Sequence, residues 1–285
     1  MPQTAALYGF EFTHAFSAAG LTFQPVSLEH ATAKALARNL KAHNMTGTVS
    51  ATTLPPEKRF HLEGVLSFIE HLDVLVSEPT DEEDAAVHPE SYFEPTIAMR
   101  PRHNGGGAIL GSDAFNPWRD SRQQFVELAL NHLADEDFCK RTRFNSLLFK
   151  SVETFRQRQP FLEISYFLLI SGLEAFARAV QNDYVTKNAS VPITRTLKDY
   201  GFKVYQDSPT DLPRSISTYL HIRNSLFHQG DFSANIQINQ HQVPLNCSDY
   251  LFGLSTLVSL TVLKAIGFDD GHTNWDCWID RHRHR

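Results

Sequence analysis

The pattern of hydrophobic and polar residues changes character near residue 115. Before this point, short β-prone pieces such as LTFQPV, TGTVSATTL, DVLVSEP and EPTIAMR lie between two helical patterns. One helix is predicted for SLEHATAKALARNLKAHN, from Ser27 to Asn44, and a second for PEKRFHLEGVLSFIEHL, which follows Pro55. This alternation predicts a small mixed α/β module over residues 1–115.

From residue 116 onward, apolar residues recur at helical spacing, with short connections between the segments. The predicted helices are NPWRDSRQQFVELALNHL, DEDFCKRTRFNSLLFKSVETFRQ, FLEISYFLLISGLEAFARAV, a short helix near residues 195–200, DLPRSISTYLHIRNSLFHQG and SDYLFGLSTLVSLTVLKAIG. The last two begin at the N-cap residues Asp211 and Ser248 and end at Gly230 and Gly267, and a strand-like piece, ANIQINQHQV, separates them. Residues 116–285 therefore predict an all-α bundle, which makes the whole chain α+β.

The composition is that of a folded, soluble protein, because 42% of the 285 residues are hydrophobic and 20% are charged. The start of the chain lacks the basic and apolar regions of a secretory signal. The longest apolar run, Ile164 to Leu173, has about half the length of a membrane span and predicts a buried helix. Cys139, Cys247 and Cys277 are too widely spaced for a disulfide framework or a zinc ribbon. We therefore expect a cytoplasmic protein with no membrane association.

The net charge of −6 is unevenly distributed. Residues 1–120 contain 8 Lys and Arg against 15 Asp and Glu, whereas residues 121–285 contain 18 against 17. No broad basic field exists to attract nucleic acid, so any contact with RNA must be local and must lie in the second half of the chain.

A glycine-rich segment, RHNGGGAILGSD from Arg102 to Asp113, raises the question of a phosphate-binding loop. No G-K-[ST] sequence follows the glycines, and no G-x-G-x-x-G pattern leads into a helix. A hairpin or a linker is therefore the favoured interpretation.

The segment HIRNSLFHQGDF places polar side chains at helical spacing. His221, Asn224 and His228 fall on one stripe of a helix, and the long side chain of Arg223 can reach the same side. Histidine can move protons near neutral pH, and arginine can stabilise charge on a phosphate. Because RNA supplies its own 2′-hydroxyl nucleophile, the group predicts a phosphodiester site that needs no metal. Alternatively, arginine and histidine at the end of a helix only cap carbonyls and favour the helix dipole.

These residues carry a resemblance to a known family. The R-N-x-x-x-H pattern from Arg223 to His228 is followed by Gln229 and Gly230, and the helix FLLISGLEAFAR lies about fifty residues earlier. Together they resemble the HEPN superfamily, especially its Apea-like branch, over residues 120–268. The resemblance implies a small helical bundle that forms a homodimer with a composite cleft, and a metal-independent endoribonuclease that acts on RNA without a cofactor.

The resemblance also implies residue roles. Arg223 would stabilise the phosphate, His228 would act as general acid and base, and Asn224 would orient the reacting groups. Glu174 matches an acidic residue on the preceding long helix that faces the motif, although a simple ion pair with Arg178 at i,i+4 explains it equally well. In this interpretation His221, one turn before Asn224, is a supporting residue.

The resemblance leaves the N-terminal module unexplained, and a sensing or regulatory role is one hypothesis for it. HEPN members of this kind act as toxins or defence effectors. One HEPN branch carries a modified tyrosine where this chain has Gly230, so regulation of that kind is not expected. Two alternatives remain open: a non-catalytic dimeric protein that binds a nucleotide or a partner, and a scaffold in which carbonyls and carboxylates saturate Arg223 and His228.

The C-terminal segment GHTNWDCWIDRHRHR offers further candidates. Its potential metal ligands are His272, Cys277, His282 and His284. A basic tail that touches RNA phosphates non-specifically is favoured over a metal site, since ligands need a fixed geometry and supporting hydrogen bonds. Trp275 and Trp278 can stack on bases, but packing against the bundle is the favoured interpretation.

Overall fold

The computed structural model describes residues 2–98, 101–115, 118–157, 159 and 161–282. The chain divides into two compact units. The first comprises Met1–Ala134 and Phe155–Gln159, and the second comprises Asp135–Thr154 and Pro160–Arg285. A sheet-containing module is followed by a mainly helical region, which confirms the α+β class.

The first unit is built on an antiparallel sheet. Its strands are β1 (Gln3–Tyr8), β2 (Phe16–Ala18), β3 (Leu21–Pro25), β4 (His43–Ala51), β5 (Leu75–Val76) and β6 (Thr96–Ile97). The order is β2-β3-β4-β1-β5, and β6 pairs with the start of β4. The strands β3 to β6 match β-prone pieces of the sequence. The central strand β1 was not predicted, because Thr4 to Tyr8 are all buried and therefore show no polar alternation.

The two helices of this module are α1 (His30–Ala37) and α2 (Pro56–Glu70). The second agrees with the prediction, but the first is much shorter than the predicted Ser27–Asn44. Asn39 accepts a hydrogen bond from the N–H of Lys41 at 2.9 Å, in a turn that ends the helical region. The chain then enters β4 at His43, because pairing with β1 and β3 outweighs the local helical preference.

The glycine-rich segment is neither a hairpin nor a linker but irregular chain packed into the first unit. The N–H of Gly105 donates to the carbonyl of His71 at 3.0 Å, and the N–H of Ile109 donates to that of Ile69 at 2.9 Å. A Cβ atom at Gly105 would lie 2.9 Å from the His71 carbonyl oxygen and would collide with the ring of Phe155. The glycine is therefore required by close packing and not by a phosphate.

The helix α3 (Ser121–Ala134) belongs to the first unit, although the sequence placed it with the helical segment that starts at residue 116. Its Arg122 is buried and donates to Glu70 at 2.5 Å, and its Phe125 stacks on Phe68 at 5.3 Å between ring centroids. Helical periodicity predicts the helix but not which core the helix covers. Residues 116 and 117, at the predicted boundary, lie outside the described residues.

Residues beyond 134 form the remaining helices. They are α4 (Glu136–Thr142), α5 (Phe144–Arg156), α6 (Leu162–Gln181), α7 (Ser190–Asp199), α8 (Ile216–Gln229), α9 (Cys247–Ala265) and α10 (Cys277–Asp280). The predicted helix DEDFCKRTRFNSLLFKSVETFRQ is two helices, since Arg143 between α4 and α5 has a left-handed φ of 59°. The N-cap of α9 is Asn246 and not Ser248.

The core of the second unit surrounds α6, which packs against α7, α8 and α9. Leu169, Leu173 and Phe176 of α6 and Leu257 and Leu260 of α9 are buried there. Among the described residues, no helix has the length and apolar character needed to cross a membrane.

The second unit also contains a β-hairpin, which corrects the expectation of an all-α bundle. Its strands are β7 (Ser233–Ile238) and β8 (His241–Asn246), and β7 packs against α8. The two turn residues, Asn239 and Gln240, have φ values of 48° and 67°. A two-residue turn with positive φ at both positions matches the twist of the paired strands, and asparagine tolerates this conformation well.

Candidate active site on the eighth helix

The motif helix α8 is fixed at both ends and along its buried face. Asp211 accepts a hydrogen bond from the N–H of Arg214 at 3.3 Å, so it caps the 3₁₀ turn Leu212–Arg214 that precedes α8 and not α8 itself. The helix ends at Gly230, whose φ of 75° forms the predicted left-handed cap. The hydroxyl of the buried Tyr219 donates to the Pro213 carbonyl at 2.8 Å. Burial raises the pKa of this phenol, so it remains a neutral donor.

Three of the polar side chains predicted for the site lie on the exposed face of α8. His221, Asn224 and His228 are exposed, and none of them has a hydrogen-bond or ion-pair partner among the residues that the structure describes. The scaffold alternative predicts that carbonyls and carboxylates saturate both Arg223 and His228. The structure pairs Arg223 with the Glu174 carboxylate, but His228 has no such partner among the described residues. The three exposed side chains are therefore free to meet a ligand.

Arg223 is held by a carboxylate from the neighbouring helix. Its Nη2 lies 3.1 Å from Oε2 of Glu174 on α6, and the Nε of Arg178 lies 2.9 Å from Oε1 of the same carboxylate. Glu174 thus faces the motif, as the resemblance implies, and it also pairs with Arg178 at i,i+4. Each interaction uses one oxygen of the carboxylate. The side chain of Arg223 remains 27% exposed, so its outer edge can contact a ligand.

The same network orders the loop that follows α6. Nη1 of Arg178 donates to the carbonyls of Asp183 and Thr186 at 3.1 and 2.9 Å. The N–H of Thr186 in turn donates to the Asp183 carboxylate at 3.0 Å, and this hydrogen bond lowers the pKa of that carboxyl. The loop brings Lys187 beside α8.

A cavity of about 280 Å³ lies between this loop and α8. The polar side chains at its wall belong to Lys187, Asn188, Ser217, His221, Arg223 and Asn224. Two cations, Lys187 and Arg223, therefore face one small volume in which an anion such as a phosphate would be favoured. We refer to it as the cationic cavity.

His228 is the one motif residue outside the lining of the cationic cavity. It lies one helical turn beyond Asn224, about 6 Å further along the axis. The structure thus brings His221, Arg223 and Asn224 together at the cationic cavity, whereas His228 does not line it. Its predicted role as general acid and base stays a prediction.

Several features of this region were not predicted from the sequence. Lys187 and Asn188 lie in a loop about 35 residues before the motif and have no local pattern that marks them. Phe167 and Phe227 are 40% and 54% exposed, and their rings lie 4.6 Å apart on the outer face of α6 and α8. Phenylalanines on helices are usually buried in a core, so the sequence alone does not predict that these two are exposed.

The C-terminal candidates have other roles in the structure. Trp278 and Cys277 are buried, and Nζ of Lys264 lies 3.7 Å from the ring centroid of Trp275. The tryptophans therefore pack against the protein, as favoured from the sequence. Within the described part of the chain, no three His, Cys, Asp or Glu side chains are placed to hold a metal, and His284 lies outside the described residues.

The ion pair between Arg223 and Glu174 is expected to contribute little to stability. Both side chains are about a quarter exposed, so a double-mutant cycle with Arg223→Ala and Glu174→Ala, followed by urea unfolding, should give a coupling of about 0.2–1 kcal/mol. The exposed pair Glu136 and Lys140 on α4 provides the reference cycle. A coupling above about 3 kcal/mol would instead indicate a structural ion pair.

Comparisons with protein-family models, with curated proteins and with solved structures gave no match to this chain. The resemblance to the HEPN superfamily therefore rests on the motif of α8 and on the FLLISGLEAFAR segment of α6.

Proposed function

We propose that the protein is a metal-independent endoribonuclease of the HEPN type, with its active site on α8. The observation that carries this proposal is the arrangement of Arg223 on that helix. The guanidinium is held at 3.1 Å by Glu174. His221 and Asn224, which have no partner among the described residues, line the same cationic cavity. In the cleavage of a phosphodiester, a fixed cation can stabilise the charge on the phosphate, an imidazole can transfer protons, and an amide can orient the reacting groups.

The proposed reaction uses the 2′-hydroxyl of the RNA as nucleophile. His228 removes the proton of that hydroxyl, a bond forms between the 2′-oxygen and phosphorus, and the bond from phosphorus to the 5′-oxygen breaks. His228, which now carries that proton, donates it to the leaving 5′-oxygen as general acid. Arg223 stabilises the negative charge that accumulates on the phosphate, and Asn224 orients it. The products are a 2′,3′-cyclic phosphate and a 5′-hydroxyl.

A homodimer is part of the proposal, because His228 does not line the cationic cavity of a single chain. The aromatic pair Phe167 and Phe227, with Ile164 one turn away on α6, exposes apolar surface beside the motif. Pairing two copies through this surface would cover it and would bring a second motif helix close to the first. The expected mass in solution is twice that of the chain.

The first unit is proposed as a sensing or regulatory module and the second as an RNA-cleaving toxin or defence effector. Asp81 to Asp84 form an exposed acidic run on the first unit, which disfavours binding of RNA there. No disulfide joins Cys139, Cys247 and Cys277 within the described part of the chain, and two of them are buried, which is consistent with a reducing cytoplasm.

The test is to incubate purified protein with short labelled RNAs in excess EDTA. We expect cleavage of RNA that survives chelation, and no cleavage of the same sequences as DNA or as 2′-O-methyl RNA, because both lack the nucleophile. A folded, dimeric protein that leaves every RNA intact would contradict the proposal.

A second candidate is a non-catalytic dimeric protein that binds a nucleotide or a partner through the same helix. It is favoured by the neutralisation of Arg223 by Glu174 and by the position of His228 outside the cavity lining. Binding of RNA without cleavage in the same assay would select this candidate.

A further inference from the structure

A second and larger cavity lies next to the cationic cavity. Its volume is about 550 Å³, and it is bounded by α8, by the segment from Asp207 to Leu212 and by β7. This volume is within the range of small-molecule binding pockets, about 300–1,000 Å³. His221 lines both cavities, so they meet at this residue on the face of α8.

The wall of the second cavity is rich in amides. Asn235 and Gln237 are both exposed on β7, two residues apart, and therefore point to the same side of the hairpin. Asn239 follows in the turn, and Asp207, from the segment before α8, also lines the cavity. None of these four side chains has a hydrogen-bond or ion-pair partner within the described part of the chain. We refer to this volume as the amide cavity.

The two cavities differ in the chemistry they offer. The cationic cavity has Lys187 and Arg223 at its wall, whereas the lining described for the amide cavity contains no Lys or Arg. Instead the amide cavity combines neutral donors and acceptors with apolar surface from Leu212. A nucleotide has the same division: its phosphate needs positive charge, and its base needs hydrogen-bonding groups and an apolar face.

We propose that the amide cavity binds the nucleobase of a single-stranded RNA nucleotide whose phosphate lies in the cationic cavity at Arg223. This inference rests on the proposed function and adds to it a preference for sequence. The cavity selects the base next to the cleaved bond, and α8 supplies the groups that act on the phosphate.

The chemistry of the wall also ranks the bases. Asparagine and glutamine amides pair in bidentate fashion with adenine, and a carboxylate accepts a hydrogen bond from an exocyclic amino group. Uracil has no amino group and presents carbonyl oxygens that Asp207 would repel. Adenine is therefore the preferred base, and uracil is the least favoured.

The test uses 2′-O-methyl oligonucleotides, which the proposed reaction cannot cleave. Binding of the full-length protein to oligonucleotides of A, C, G and U is measured by fluorescence anisotropy at one fixed salt concentration. We expect wild type to bind the A oligonucleotide roughly tenfold or more tightly than the U oligonucleotide. In the double variant Asn235→Ala, Gln237→Ala, this ratio should fall close to one.

The hairpin offers a matched control. Gln242 pairs with Gln237 across the two strands and is also exposed, but it is not among the residues that line the amide cavity. Gln242→Ala should keep the wild-type ratio of A to U binding. Equal binding of all four bases by wild type, or the same loss of selectivity in Gln242→Ala, would overturn the proposal.

Cleavage of natural RNA separates this inference from the proposed function. Sequencing of the cut positions should show cleavage beside adenine in wild type and beside any base in the double variant. If the double variant cleaved RNA at unchanged positions, the proposal that the amide cavity binds a base would be overturned, but the proposed nuclease would stand. Adenine-selective binding without cleavage would support base binding in the amide cavity and would overturn the proposed nuclease.

A different occupant would give a different result. An extended peptide could pair with the edge of β7 that meets no other strand among the described residues, and backbone groups would then hold it instead of the amide side chains. Oligonucleotides that do not bind at all, with a folded protein, would overturn the nucleobase proposal.

Discussion

Replacement of His228 by alanine is expected to lower the rate of RNA cleavage by a factor of about 10²–10⁴, the range that general acid and base groups supply. Arg223→Ala is expected to lower it by about 10²–10³, because the charge that develops on the phosphate loses its fixed donor. His228 is exposed and unpartnered within the described residues, so its removal should leave the fold intact. Single-turnover cleavage of a labelled RNA, with circular dichroism of each variant, measures both effects.

Two further variants make the result specific. His241→Ala removes another exposed histidine, at the start of β8 and outside both cavity linings, and should cleave at the wild-type rate. Arg223→Lys keeps the charge but loses the planar guanidinium, so its activity should lie between wild type and Arg223→Ala. If His228→Ala cleaved RNA at the wild-type rate, His228 would not take part in the reaction.

The largest effect on stability is expected in the first unit, at Glu70. This carboxylate is fully buried and accepts hydrogen bonds from Arg122 at 2.5 Å, from the N–H of Glu11 at 3.0 Å and from Arg38 at 3.3 Å. Glu70→Ala leaves the guanidinium of Arg122, whose side chain is 3% exposed, without its charge partner. The free energy of unfolding of this unit should fall by about 3–5 kcal/mol.

Urea unfolding measures this loss, and a surface pair in the same unit provides the control. Glu78 pairs with Arg59 at 2.7 Å but is 84% exposed, so Glu78→Ala should cost at most about 1 kcal/mol. A cost for Glu70→Ala as small as that of the control would mean that water or a neighbouring group compensates the buried arginine.

Much of the motif helix was predictable because its signals are local. Gly230 ends α8 as expected, and helical spacing places His221, Asn224 and His228 on one exposed face. These properties depend on residues within a few turns of one another, which periodicity and capping describe well. The contact of Arg223 with Glu174 joins residues 49 positions apart and was expected only from the resemblance.

Features that depend on distant parts of the chain were not predictable. The strand β1 is buried on both faces and has no alternating pattern, and α3 has a clear period that does not indicate which unit it packs into. The predicted helix across Arg143 is broken by one residue in a left-handed conformation. In each case a tertiary contact or a single backbone angle decides the outcome over local preference.

The two cavities belong to the same class of feature. Lys187 reaches α8 because Arg178 orders the loop after α6, and Asn235 reaches it because the hairpin packs on α8. The sequence around the motif does not indicate that Lys187 or Asn235 lies near α8. The chemistry of the motif can therefore be inferred from the sequence, whereas the chemistry that surrounds it requires the fold.

The RNA ends that the protein produces identify the nucleophile of the proposed cleavage. Wild type is incubated with a short RNA of defined sequence in excess EDTA, and the products are identified by mass spectrometry. We expect a 2′,3′-cyclic phosphate on one fragment and a 5′-hydroxyl on the other, with neither formed by His228→Ala. Products with a 3′-hydroxyl and a 5′-phosphate would contradict this expectation, because they require water and not the 2′-hydroxyl as nucleophile.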